Sequence, residues 1–426
     1  MTDMLENEDV YAATRAEQLL FALEREHSLS RRDLVKLGTL GIAFLAGAAK
    51  LASPQIARGA RVDDGSPISK PLPPEWFIDY GSNAEMIWAA VPGLGYSIPN
   101  DRFFVRDHTG TPIVDLSTWQ LNVFGTGLKN APTLQNPVTF SYDALRALPP
   151  KTIYSAIECA GNARSFFGTQ QGTPASGTQW TLGAVGVAAW TGVPLSTVLD
   201  QAGLLSTAVD VMPVGLDENV VVSGVDAGNV RRPIPVSKAV DDALLAYEMN
   251  GEPLPYDHGY PLRLVVPGWV GVANIKWIGQ IEVSTTPQTS LWNTAQYILT
   301  GPDYPTPVPL TTQVVKSAFE LPFGAQLAVG QPQVLAGRSW SGNGAIREVD
   351  VSVDNGATWA PATLHGANIP NAWARWTFNW TPATTGNYTL QARATDKTGL
   401  AQPGTVPFNT LGYLFGAIVQ QPVVVS

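Results

Sequence analysis

"YDHGYPLRLVVPGWVGVANIKW", Tyr256 to Trp277, sets the reading of the chain. Within it, "LRLVVPG" (Leu262 to Gly268) reads as a strand closed by Pro-Gly. Arg263 sits inside that apolar run, where an unpaired guanidinium would be costly to bury. His258 and Lys276 flank the strand among glycines. Such a set of His, Arg and Lys donors suits a phosphorylated, anionic ligand; the plainer alternative is scattered surface charge.

Two further stretches extend the pattern. "RFFVRDH", Arg102 to His108, places Arg106 and His108 two residues apart, on one face if extended. Only four histidines exist in the chain, and two of them lie in these cationic segments. "IECAGNARSFF", Ile157 to Phe167, holds the single cysteine, Cys159, followed by Gly161, Asn162 and Arg164. On residues alone, Cys159 is equally a buried core thiol or a soft ligand for a transition metal. Gly161 is expected to let the backbone approach a large cofactor. One cysteine excludes an intrachain disulfide and every CxxC spacing. Covalent c-type haem, thiolate zinc sites and four-cysteine clusters are excluded with them.

Composition narrows the class. At 426 residues the chain has room for two domains, and with 14% charged residues its surface is sparingly charged. A net charge of −9 leaves no basic excess for nucleic acid. No GxSxG elbow and no GxGxxG after a strand is present, so serine-hydrolase and dinucleotide readings have no support.

Between about residues 75 and 300, strands and short helices mix without a regular βαβ period, which predicts an α+β domain. In "SYDALRAL", Ser141 is placed to cap a short helix. "GPDYPTPVPL", Gly301 to Leu310, ends that pattern with four prolines. From 310 to 426 everything reads as strand and turn. "IREVDVSVDNG" alternates and closes on a tight-turn signal, and "RWTFNW" aligns Trp376, Phe378 and Trp380. This predicts an immunoglobulin-like β-sandwich, with Trp373, Trp376 and Trp380 mostly in its core.

Residues 1–60 read as leader and linker. Arg31 and Arg32 in "SRRDLVK" precede an apolar run, Leu37 to Ala49, too short to span a bilayer. The order resembles the twin-arginine signal for export of folded proteins to the periplasm or cell-envelope exterior, and implies a cofactor acquired before export. The run from Ala52 to Pro74 is linker-like, without hydrophobic periodicity.

"ECAGNAR", "FFVRDH", "TLGAVGVAAWTGVPL" and "LLAYEMNGEPLPYDHGYPLRLVVPGWVGVANIKW" together resemble the sulfite oxidase family of molybdopterin enzymes, from about Phe103 to Tyr297, with a C-terminal dimerisation domain. The resemblance implies a molybdenum–molybdopterin cofactor with Cys159 as the protein's thiolate ligand, and a Gly-Asn turn that admits the pterin. It further implies that Phe104, Arg106, His108, Asp217, His258, Arg263 and Lys276 hold the cofactor. Arg106 and Arg164 would line the substrate-anion pocket, Trp180 would border it, and Tyr297 would stand by the metal and donate to the transferred oxygen. Leu411 in "FNTLGY" falls where animal and plant members carry a third arginine, so a doubly charged oxyanion should bind less tightly, by up to about a few kcal/mol. Sulfite is the substrate this implies; sulfane dehydrogenase, nitrate reductase and methionine sulfoxide reductase types are alternatives, as is a non-catalytic exported binding protein. With no haem domain evident, electrons should pass to a separate cytochrome-type acceptor or directly to dioxygen, and the chain should form a homodimer.

Overall fold

The computed structural model describes residues 67–426 apart from Ser223. The expected twin-arginine leader lies outside the described residues. The end of the linker-like run is not free: Ile68 is fully buried, and the Ser69 and Lys70 amides donate to the Asp257 carboxylate at 2.7 and 2.9 Å. Residues 67–70 therefore form a strap on the body of the protein.

Two five-stranded sheets dominate the first part. One runs Ile234–Pro235, Asp210–Gly215, Ile278–Ser284, Gln120–Phe124, Val138–Ser141, and only its Ile278–Ser284/Gln120–Phe124 pair is parallel. The other orders Glu252–Pro253, Leu244–Met249, Val185–Pro194, Lys151–Glu158, with Arg263–Val265 beside Leu244–Ala246 on the same edge that Glu252–Pro253 takes at Glu248 and Met249. Val185–Pro194 is central and buried on both faces, which explains its continuous apolar sequence. The helix Leu195–Ala202 follows directly, buries Leu195, Val198, Leu199 and Ala202, and stops at Gly203 with φ 87°. The helix Tyr142–Arg146 is capped as the sequence predicts: Ser141 Oγ accepts from the Ala144 amide at 3.1 Å.

The proline-rich boundary is itself a hairpin, Ile298–Gly301 against Tyr304–Pro309. Pro305, Pro307 and Pro309 alternate along the second strand, a pattern tolerated where one side has no ladder partner. Beyond it, two sheets pack face to face. One orders Lys316–Phe319, Gln333–Trp340, Trp373–Trp380, Thr363–Asn368; the other orders Ala325–Leu327, Gln420–Val425, Gly386–Asp396, Ile346–Ser352, Ala360–Pro361. Val349, Val351, Trp376 and Leu390 fill the space between them, with Phe378 and Trp380 at its margin. Asn355 and Gly356 take positive φ in the turn the sequence announces.

Trp373 departs from the expectation. Three residues from Trp376, it lies on the opposite face of the same strand and enters the core of the first part. Its indole donates to Tyr96 O at 2.7 Å while the Tyr96 hydroxyl donates to Trp373 O at 2.7 Å. That core also takes Ala318, Trp340 and Phe415 from the C-terminal part and contains Cys159. Arg338, buried among these groups, donates to the carbonyls of Leu94 and Gly95.

Candidate active site

The two five-stranded sheets and the edge strand Val105–Arg106 bring the cationic segments together. Arg106 is held in register opposite Asn83. Cys159 follows the last residue of Lys151–Glu158, and its amide donates to Ala184 O at 2.9 Å. His258 ends a single 3₁₀ turn, and Gly259 then takes φ 108°. A Cβ there would stand 2.9 Å from Arg263 Cβ and 3.2 Å from Lys276 Cα, so glycine permits these three segments to converge.

Phe104, Arg106, His108, Cys159, Tyr297, Asp217, His258, Arg263 and Lys276 all line a single cavity. Arg164 and Trp180 are not among its lining residues. Trp180 is buried edge-on against Tyr80, and its carbonyl accepts from the Ser165 amide. Arg164 donates from Nε to Leu411 O at 3.0 Å and from Nη1 to Thr178 O at 2.7 Å, and its guanidinium lies 5.2 Å from the Tyr413 ring. A Cβ at Gly161 would be 2.6 Å from Arg164 Nη2, so the glycine makes room for that guanidinium.

Near the thiol, three polar groups form a triangle. Arg106 Nη2 donates to His108 Nε2 at 2.8 Å and to the Tyr297 hydroxyl at 3.2 Å, and Tyr297 Oη lies 2.8 Å from the same His108 nitrogen. Arg106 can only donate, so Nε2 is the acceptor and the Tyr297 proton points to His108. In this arrangement the Tyr297 hydroxyl is engaged by Arg106 and His108. Burial, then Arg106 and Lys276, hold His108 well below the usual imidazole range. His108 is therefore neutral, as an accepting Nε2 requires.

The Arg263, Lys276 and His258 lining is cationic and incompletely satisfied. Arg263 donates to His258 O at 2.9 Å and lies 4.7 Å over Trp190, and burial pushes it down to about 9. Lys276 bonds Asp107 and donates to Asp257 O at 2.7 Å; burial lowers its pKa, while Asp107 opposes the shift. Asp107 is itself raised to about 6 by burial, against the pull of Lys276. Asp217 Oδ1, His258 Nε2 and Arg263 Nε are buried without hydrogen-bond partners. Orphaned buried groups of this kind call for a ligand.

A molybdenum–pterin group fits this set. The cations and orphaned atoms match a buried phosphate and the polar edge of a heterocycle. Among the described residues no cluster of three or more His, Cys, Asp or Glu could hold a metal, so a metal at the Cys159 thiol must bring most of its own ligands.

Several neighbours were not read from sequence. Tyr413 stacks on Tyr297 with centroids 5.2 Å apart and an interplanar angle of 12°. Trp292 meets the His108 ring edge-on at 4.5 Å. Asp257 bonds the strap and Asn274 accepts from the Val266 amide. Tyr413 stands two residues from Leu411, and its aromatic type beside a pocket position was the available signal.

Residues 108–292 match the family profile described as "Oxidoreductase molybdopterin binding domain", and residues 315–420 that described as "Mo-co oxidoreductase dimerisation domain". The mouse protein "Sulfite oxidase, mitochondrial" is 36% identical over 348 residues, covering 76% of this chain but only 60% of that protein. The chain thus spans less than two thirds of that relative's length. "Sulfite oxidase" of Gallus gallus is 34% identical over 331 residues, covering 72% of this chain and 68% of that one. Among solved structures, the sulfane dehydrogenase SoxCD from Paracoccus pantotrophus superimposes with TM-score 0.70 at 28% identity, covering 87% of this chain and 94% of that one.

Proposed function

The chain belongs to the sulfite oxidase family of molybdopterin oxidoreductases, and on that premise we propose that it oxidises sulfite to sulfate and passes the electrons to a separate cytochrome-type acceptor. The observation that carries the reading is the convergence of Cys159, Arg106, His108 and Tyr297 with Arg263, Lys276 and His258 on one cavity.

When bound, the cofactor supplies a two-electron couple and oxygen-atom transfer. Cys159 would be the protein's ligand to the metal; Arg263, Lys276, His258 and Asp217 would hold the pterin and its phosphate. Arg106 orients the anion with N–H groups whose direction is fixed by Asp107 O, His108 and Tyr297. Arg164, braced on two carbonyls, contributes a second fixed positive charge from behind Tyr413. His108 Nε2 anchors the Tyr297 proton and stays neutral, so the pair adds no charge to compete with the anion. Sulfite plus water gives sulfate, two protons and two electrons.

Leu411 and Tyr413 favour a second reading. Both belong to an apolar cluster around Tyr297 and Ala160, a surface suited to a sulfane-sulfur substrate bearing less charge. The twin-arginine pattern at Arg31 and Arg32 supports export to the periplasm, and the dimerisation-domain match supports a homodimer. The test is elemental analysis combined with steady-state reduction of cytochrome c. Roughly one molybdenum per chain and sulfite-dependent reduction are expected. Metal-loaded protein that ignores sulfite but oxidises a thiol-bound sulfane would move the assignment to the second reading.

A further inference from the structure

The residue before the cysteine is a buried glutamate that the reaction above does not use. Glu158 is 4% exposed. Its Oε1 accepts from Lys316 Nζ at 2.6 Å and Asn162 Nδ2 at 2.9 Å, and its Oε2 accepts from Trp340 Nε1 at 3.0 Å. Lys316 and Trp340 come from outside the cofactor-binding sheets. They face each other across the strand pair Lys316–Phe319/Gln333–Trp340 of the C-terminal sandwich. Both are buried, at 2% and 0% exposure. Lys316 also donates to Asn162 O at 3.1 Å, and the Asn162 side chain accepts from the Ala184 amide at 3.1 Å. The Cys159 amide donates to the Ala184 carbonyl, and the Asn162 amide donates to Cys159 O at 2.9 Å. On the other side of the thiol, the Leu414 amide donates to Ala160 O at 2.8 Å. Groups from the C-terminal part of the chain therefore hold the Glu158 side chain before the cysteine and the backbone carbonyls of Ala160 and Asn162 after it.

A buried ion pair is weak evidence of stability, because desolvation offsets its attraction; its best-supported use is to fix one arrangement against others. Here the arrangement fixed is that of a single sulfur. We propose that Lys316 and Trp340 are positioning residues which, through Glu158 and Asn162, set the place of the Cys159 thiol, so that the C-terminal sandwich is a structural part of the redox centre. The proposal rests on Cys159 being the metal's ligand.

The test uses full-length Lys316→Met, Lys316→Arg and Trp340→Phe, the last keeping an aromatic ring while removing the donor. Each is prepared cofactor-free, for alkylation of Cys159 by iodoacetamide, and loaded, for electron paramagnetic resonance of the half-reduced metal. Lys316→Met and Trp340→Phe should alkylate about tenfold faster or more, the scale of a lost charged hydrogen bond, and give a displaced resonance spectrum. Lys316→Arg should stay nearer the wild type in both. Variants that only melt at lower temperature, with wild-type alkylation rate and spectrum, overturn the proposal. Should Lys316→Met not fold, Trp340→Phe decides alone by the same two readings. Wild-type protein without metal would remove the enzymatic assignment, whereas the alkylation rates of the cofactor-free chains would still decide the positioning role.

Discussion

Cys159 is the only sulfhydryl in the chain, so its replacement is a clean test of metal ligation. Cys159→Ser keeps size and hydrogen bonding but offers a harder donor. Turnover should vanish while the circular dichroism spectrum and melting point stay unchanged; a working serine variant would refute ligation. Arg164→Gln should raise the half-saturation concentration for sulfite by about tenfold or more, since the fixed positive charge behind Tyr413 is removed; initial-rate kinetics check this. His258 gives a pH signature. Burial, then Lys70, Lys276 and Arg263, hold its imidazole well below the usual range, so it stays neutral when folded. Below about pH 6.5 the unfolded chain binds a proton that the folded chain refuses, so this contribution is present above that pH and is lost as pH falls. Between about pH 7 and 5 the cofactor-free wild type should therefore lose more stability than His258→Phe, read from urea midpoints. The cavity residues were legible because buried Arg, Lys and His in glycine-rich apolar runs have no cheap structural use. Tyr413 was not, since a tyrosine in an irregular segment has many uses, and its stacking on Tyr297 depends on a contact 116 positions away in sequence, from Tyr297 to Tyr413.

Elements fail where backbones touch. Gly192 lies in Val185–Pro194, and a Cβ there would be 2.0 Å from Leu245 O in the neighbouring strand. Gly192→Ala should cost at least about 3 kcal/mol, because a central strand cannot retreat without breaking its ladder; thermal melting measures it. The legible elements had local causes: the Ser141 cap, the Asp354-Asn355-Gly356 turn and the alternation through Val349 and Val351. The side of the sheet taken by Trp373 was obscure because it stands out of phase with the row Trp376, Phe378 and Trp380, on a face whose later residues Arg375, Thr377 and Asn379 are polar and half-buried or exposed. The hairpin Ile298–Gly301/Tyr304–Pro309 was obscured by prolines that usually mark a loop. Strained backbone also occurs around the site: Ala163, four residues after Cys159, and the cavity-lining Trp277 and Tyr297 take φ of 71°, 50° and 52°. Local pattern cannot announce such positions, since the surrounding packing imposes them.

At the level of the whole molecule, the division into an α+β part and a sandwich follows the change in sequence pattern near Gly301–Leu310, but the boundary does not isolate two cores. Trp373, Trp340 and Phe415 share one apolar cluster with Trp88, Phe103 and Trp190. The reciprocal Tyr96–Trp373 hydrogen bonds and the Arg338 contacts with Leu94 and Gly95 cross the same seam. Scanning calorimetry of the full chain should accordingly record a single endotherm whose calorimetric and van't Hoff enthalpies agree, rather than two resolved peaks. A gene truncated ahead of residue 315 would then yield insoluble polypeptide, so for this architecture the two halves can be inherited, shuffled or expressed only as one piece.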